Sequence, residues 1–309
     1  MVRRQGIFLG FLLLGVAGSI AFLVFQGGGY PSDRVDSLPP LDISDPSRQP
    51  DPSRQPDPPR QEERPPGEES PRVISPEEGP QPGPRLFLVL DDAGQSWQEI
   101  EFFAELAVPY TVAVLPGLPE SREVIRQARG WGYEVILHQP MEAFNGQDPG
   151  PRAITASHTI EEALEILKGN LDRYTGVVGV NNHMGSRITS DPSFMAPLLK
   201  EVAGRDLLFL DSLTTSKSVV SAVAAREGIA VLVRDVFLDH HRTRADIEAQ
   251  LERALEIARL RGQVIMIGHV TVPETARVLI ERQEEILREG FRFLPLSCAR
   301  EVCDADTWN

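Results

Sequence analysis

Six short apolar runs in the chain each end in residues that ligate metals or move protons. The run 86–90 ends at Asp91-Asp92; later runs end at His138, at Asn181-Asn182-His183, at Asp211, at Arg234-Asp235 and at His269. Carboxylates and imidazoles bind divalent cations such as zinc, and the same groups act as general acids and bases. A buried parallel strand reads as a short continuous apolar run, and in barrel-like α/β folds the loops after the strands' C-terminal ends open on one face. Gathered at that face, these side chains form the kind of centre a metal-dependent hydrolase uses.

The elements that must position them alternate. Strand-like runs fall at 86–90, 110–115, 134–137, 177–180, 207–210, 231–233, 264–267 and 292–296. Helical patterns lie between them at 96–107, 120–131, 159–174, 191–203, 216–227, 244–261 and 271–289, several opening on Ser, Thr or Asp as an N-cap. Repeated strand and helix units predict an α/β fold, an irregular (β/α) barrel of about seven or eight mostly parallel strands.

The chain has 309 residues, and its composition changes near residue 85. Residues 7–25 carry no charge and follow Val2-Arg3-Arg4, long enough to cross a hydrocarbon core of about 30 Å. They are expected to anchor the protein in a membrane with the rest outside the cytoplasm, the basic start lying inside. A cleaved signal peptide, with Val16-Ala17-Gly18 as its small-residue site, is the competing reading and would give a secreted protein. Residues 26–84 contain the repeat Asp-Pro-Ser-Arg-Gln-Pro at 45–50 and 51–56, degenerately again from Asp57, and hold almost no large apolar side chains, so a disordered, partly polyproline-like linker is expected. The catalytic domain is placed at 86–297 and a tail at 298–309.

Net charge is −14, from 45 acidic and 31 basic residues, and no basic cluster follows the anchor. Nucleic acid is excluded as an expected partner, because phosphate binding needs concentrated Lys and Arg. The two cysteines, Cys298 and Cys303, can bridge only a very short loop at the end of the chain and supply no zinc motif.

The ordered segments Leu90-Asp91-Asp92-Ala93-Gly94, residues 132–142 with His138 and Glu142, residues 180–187 with Asn181-Asn182-His183, Phe209-Leu210-Asp211-Ser212, residues 234–239 and Ile267-Gly268-His269 resemble the divergent polysaccharide deacetylase family. That family is a branch of the family 4 carbohydrate esterases, and the resemblance covers essentially all of 86–297. It implies Asp91 as general base, Asp92 and His138 as metal ligands, and His269 as general acid oriented by Asp235 or Asp239. The standard pattern carries a second imidazole four residues after the first; here that position is Glu142, which can ligate metal or contact substrate. His183 can complete the set instead, giving three protein ligands and an open position, as in catalytic zinc sites.

Asn181, Asn182 and Ser186 are candidates for hydrogen bonds to a sugar, and Arg187 and Asp211 for substrate contact or for holding the loops. Arg234 is expected to clamp Asp235 or to position substrate, the clamp being the usual fate of a buried arginine. The loop 144–153, rich in Gly and Pro, is placed on one wall of a cleft. The expected function is an envelope-anchored, zinc-dependent hydrolase that removes an acyl group, acetyl first, from an amino sugar of peptidoglycan or another glycan. A catalytically silent module that binds glycan or a protein partner is the alternative. A metal-free glycosidase built on Asp91 is weaker, because it leaves the histidines without work.

Overall fold

The protein is described by a computed structural model over residues 83–300. The expected anchor and most of the expected linker lie outside the described residues. Among the described residues no helix is long and apolar enough to cross a membrane.

Among the described residues nine strands form one sheet in which every pairing is parallel. They are β1 (Arg85–Ala93), β2 (Thr111–Val114), β3 (Glu134–Met141), β4 (Gly179–Met184), β5 (Leu208–Asp211), β6 (Leu232–Val233), β7 (Val236–Phe237), β8 (Gln263–His269) and β9 (Arg292–Phe293). The order is β6-β5-β4-β3-β2-β1-β8-β7, and β9 pairs with the start of β1. β6 and β7 sit at opposite ends of that order, yet only Arg234 and Asp235 separate them. The Arg234 N–H donates to the Asp211 carbonyl of β5 and the Asp235 N–H to the Ile265 carbonyl of β8. The two edges are therefore joined by chain rather than by a ladder, and the sheet curls into an incomplete, irregular α/β barrel.

Helices α1 (Gln98–Glu101), α2 (Ser121–Gly130), α3 (Ile160–Arg173), α4 (Pro192–Gly204), α5 (Val220–Glu227), α6 (Arg244–Arg261) and α7 (Pro273–Arg288) lie between the strands. Thr159 opens α3 with a full capping box, and Asp191 and Thr243 cap α4 and α6 through their side chains. Helix α1 is far shorter than the expected 96–107. The buried residues there are Trp97, Ile100, Phe103 and Leu106, a spacing of three rather than 3.6, and the backbone N–H groups of Ile100, Phe103 and Leu106 bond to the carbonyl three residues back. That is the period of 3₁₀ turns, which satisfy the same apolar face without a long α-helix.

The two faces of the sheet bury different cores. Leu86, Leu88, Leu90, Val112, Val135, Leu137, Val264 and Met266 pack outward among helix side chains. Alternate residues, Phe87, Val89, Ala113, Ile136, Leu208, Leu210, Ile265 and Ile267, pack inside the curl, where Leu294, Leu296 and Cys298 join them. Cys298 is fully buried and disulfide-bonded, so the packed domain runs past the expected boundary at 297 and the segment after β9 belongs to the barrel floor. Cys303 lies outside the described residues.

Candidate metal centre and cleft

On β1, β3, β4, β5 and β8 the inward face changes character at the C-terminal end. Continuing the alternation by two residues, Phe87 and Val89 lead to Asp91, Ile136 to His138, Leu210 to Ser212, and Ile265 and Ile267 to His269. On β4 the same face carries Gly179, Asn181 and His183. The barrel interior is thus hydrocarbon below and hydrogen-bonding above.

Asp92 breaks the alternation: as the neighbour of an inward residue it should point outward. The register between β1 and β2 shifts between Leu90 and Ala93, and Asp92 takes φ +67°. A bulge lets consecutive residues face one side, and Asp tolerates the left-handed region better than most residues. Such strain costs of order 1–3 kcal/mol and concentrates at functional sites.

The result is a cluster of three ligand-type atoms. Asp92 Oδ1 lies 3.2 Å from His138 Nε2 and 2.9 Å from His183 Nδ1, and the two ring nitrogens are 3.2 Å apart. Asp92, His138 and His183 are a group that could hold a metal ion. Tetrahedral zinc at about 2.0–2.2 Å from its ligands separates them by roughly 3.3–3.5 Å, so the trio needs to open by only a few tenths of an ångström. Asp92 Oδ1 is buried without a properly oriented hydrogen-bond partner. An orphaned carboxylate oxygen facing two imidazoles is costly unless a cation sits among them, so these residues fit a divalent metal.

The surroundings set the proton positions. Asn181 Oδ1 lies 2.8 Å from His138 Nδ1, while its Nδ2 donates to Asp91 Oδ1 at 2.9 Å and to Ser212 Oγ at 3.2 Å. With the amide nitrogen facing the carboxylate, its oxygen accepts from His138 Nδ1–H, which leaves the Nε2 lone pair directed at the cluster. Burial raises the pKa of Asp91 against the opposing pull of His138 and His269. Burial also works on Asp92, but the facing imidazoles outweigh it and hold its carboxyl well below the usual range. His138 is raised: burial opposes its charge, and Asp91 and Asp92 override it.

His269 stands on the neighbouring strand, in register with Asp91. Its Nδ1 lies 2.7 Å from Asp239 Oδ1, and Asp239 Oδ2 accepts from the His269 N–H at 2.8 Å and from Thr275 Oγ1 at 2.7 Å. Burial lowers the imidazole pKa, but the Asp239 hydrogen bond and charge, with Asp91 and Asp92 adding, push it up to about 9. A Cβ on Gly268 would lie 3.0 Å from Thr275 Cγ2 and 3.5 Å from Asp239 Oδ2, so glycine there permits the close approach of the pair.

Other expected residues take different places. Asp239, not Asp235, orients His269; Asp235 bonds the Ile265 N–H and pairs with Arg261. Arg234 does not clamp Asp235. Its Nε and Nη2 donate to the carbonyls of Ser212 and Leu213, and its guanidinium lies over Phe237 at 3.9 Å. Glu142 does not join the metal cluster: it pairs with Arg187 at 2.9 Å and accepts from the Ala156 N–H. The sugar-binding expectation fails for Asn181 and Asn182, which are fully buried with committed amides; Asn182 accepts from the Ser212 N–H and donates to the Met184 carbonyl. Asp211 holds its loop through the Leu213 N–H and Ser218 Oγ.

A cleft of about 550 Å³ runs beside this centre, walled by Asn145 and Gln147 of the 144–153 loop, by Met184 and Ser186 after β4, and by Leu213, Thr214, Arg234, Phe237 and His240. Phe237 stacks on His269 with ring centroids 5.8 Å apart, which ties the cleft to the centre. Sequence reasoning assigned no site role to Ser212, Phe237 or His240. Ser212 was legible as the next inward residue after Leu208 and Leu210, whereas Phe237 lies in a two-residue strand with no pattern to announce it.

The family described as divergent polysaccharide deacetylase matches residues 88–299. The chain belongs to that family. It is 34% identical over 195 residues to the uncharacterized protein YibQ of Escherichia coli K12, a match covering 63% of this chain and 61% of YibQ. It is 32% identical over 214 residues to an uncharacterized protein of Haemophilus influenzae, covering 68% of this chain and 72% of that one. An uncharacterized Agrobacterium tumefaciens C58 protein of known crystal structure superposes with TM-score 0.67 at 25% identity, covering 72% of this chain and 91% of its own.

Proposed function

We propose that the protein is a metal-dependent hydrolase that removes an acyl group, most simply acetyl, from an amino sugar of a glycan outside the cytoplasm. The observation that carries this reading is the convergence of Asp92, His138 and His183, with Asp91 on one side and the His269–Asp239 pair on the other. Asp92, His138 and His183 would hold the metal, which as zinc would supply Lewis acidity and lower the pKa of a water in its open position. Asp91 Oδ2, 3.5 Å from His138 Nε2, takes the proton of the attacking water. His269, its Nδ1–H fixed on Asp239, presents Nε2 to the leaving amine and hands it a proton. The apolar stretch 7–25 and the Pro-rich segment after it support tethering at the envelope, with the barrel held off the membrane.

The Glu142–Arg187 pair, where the standard pattern has a second imidazole, favours one second reading: a silent barrel that binds glycan without cleaving it. The full chain, loaded with zinc, separates the two. Metal content is measured alongside acetate released from acetylated chitooligosaccharide and from peptidoglycan, with His138→Ala as control. One ion per chain and acetate release lost in the variant support the hydrolase; glycan binding with neither metal nor release supports the silent module.

A further inference from the structure

The cleft differs in charge from the molecule that surrounds it. The chain carries 45 acidic residues and a net charge of −14, yet no aspartate or glutamate lines the cleft. Its polar wall consists of Asn145, Gln147, Ser186, Thr214 and His240 around Arg234. Among the described residues Arg234 forms no salt bridge. Two of its nitrogens are fixed on the Ser212 and Leu213 carbonyls, Phe237 supports its face, and Nη1 bonds to nothing described. Asp211, Asp235 and Asp91 lie near enough to act on its charge, but their hydrogen bonds go elsewhere: Asp235 to Arg261 and the Ile265 N–H, Asp211 to Leu213 and Ser218, Asp91 to Asn181. A guanidinium pre-oriented in this way, half-buried and facing a cleft, matches a carboxylate. The same Phe237 ring that supports the guanidinium also stacks on the His269 ring.

We propose that Arg234 makes the cleft selective for an acidic glycan, one that carries a carboxylate close to the acylated amino sugar. The inference rests on the hydrolase reading for what happens to the sugar, but not for how it is held. The wall amides and hydroxyls bond the sugar's hydroxyls, while the guanidinium takes the carboxylate and sets which residue of the polymer reaches His269. In a protein of net negative charge this local cation offsets the repulsion that an acidic polymer meets elsewhere.

The test uses the zinc-loaded full chain and two probes that differ at one group, charged in the first and neutral in the second: the disaccharide of N-acetylglucosamine and N-acetylmuramic acid, and its methyl ester. Calorimetric Kd and acetate release are measured for both. The wild type is expected to bind the acid at least tenfold more tightly than the ester, with the difference falling as salt rises and appearing in KM rather than kcat. Arg234→Gln brings the ratio to about one, and Arg234→Lys restores part of it. Equal affinity of the wild type for acid and ester, or binding of neither, overturns the proposal without recourse to any variant. Acid-selective binding with no acetate release from either probe leaves the selectivity standing and sinks the hydrolase reading. Release from both at equal kcat/KM does the reverse.

Discussion

Ile136 and His138 sit two residues apart on one face of one strand, and they divide the barrel into two layers. Below, Phe87, Val89, Ile136, Leu210, Ile265 and Ile267 are sealed by Leu294, Leu296 and Cys298. Above, Asp91, His138, Asn181, Ser212 and His269 occupy the same inward positions and bond to one another or to loop residues. On β3 the backbone pairs regularly across the boundary and the difference lies in side-chain chemistry, whereas on β1 a bulge at Asp92 adds a second inward carboxylate. The lower layer is packed hydrocarbon and the upper carries the candidate metal-binding and proton-moving groups, the division expected of barrels that carry their sites at the C-terminal rim.

The largest effect that tests this division belongs to the upper layer. His138→Ala should abolish stoichiometric metal binding and cut acetate release by about 10³-fold or more, the scale of a Lewis acid's several kcal/mol. Its melting temperature in chelator should stay close to that of wild type treated likewise. Ile136→Ala should do the opposite. Deleting this buried side chain should destabilise by about 2–5 kcal/mol in denaturant titration, while metal content and kcat per folded molecule stay near wild type. If the two variants gave the same pattern, the layers would not be separable.

A smaller effect is expected where the layers are stitched together. Asn181→Leu removes the acceptor that fixes His138 Nδ1–H and the donor to Asp91. Zinc affinity, measured by chelator competition, should fall by about 10–100-fold without loss of the fold.

The smallest effect is on stability against pH. In the metal-free protein His269 has its pKa raised to about 9 by Asp239, while the unfolded value is near 6.5. The charged pair therefore stabilises fully below about pH 6.5, and the contribution is lost as pH rises through 9, by at most about 3 kcal/mol. Unfolding free energy in chelator should decline between pH 7 and pH 10 more steeply in wild type than in Asp239→Asn. Parallel curves would show that the pair contributes no such term.

Much of this arrangement was legible in the chain, and the exceptions share a cause. Apolar runs located β1, β3, β4, β5 and β8, because strands buried on both faces are written in hydrocarbon. The ends of β3 and β4 were read short: the strands run on through His138 to Met141 and through Asn181 to Met184, where the inward residues turn polar and the apolar signal stops. The same two-residue alternation places Asn181 and His183 inside and Asn182 outside, which single runs do not reveal. Helix 96–107 was misjudged because its buried residues recur every three positions. Arg234 was assigned to the nearest carboxylate in sequence, whereas its partners are carbonyls of a loop more than twenty residues earlier, a pairing set by closure of the barrel between β6 and β7. Glu142 was open to two roles, and its partner Arg187 is decided by the turn after β4.

The central claim is that one divalent ion is gripped at the rim by Asp92, His138 and His183. Zinc-edge X-ray absorption on the zinc-loaded full chain, compared with His183→Ala, tests it most directly. The account predicts one bound zinc with two imidazole nitrogens at about 2.0–2.1 Å and carboxylate oxygen at about 2.0–2.2 Å, and one imidazole fewer in the variant. A zinc shell without imidazole, or one unchanged when His183 is removed, would contradict it.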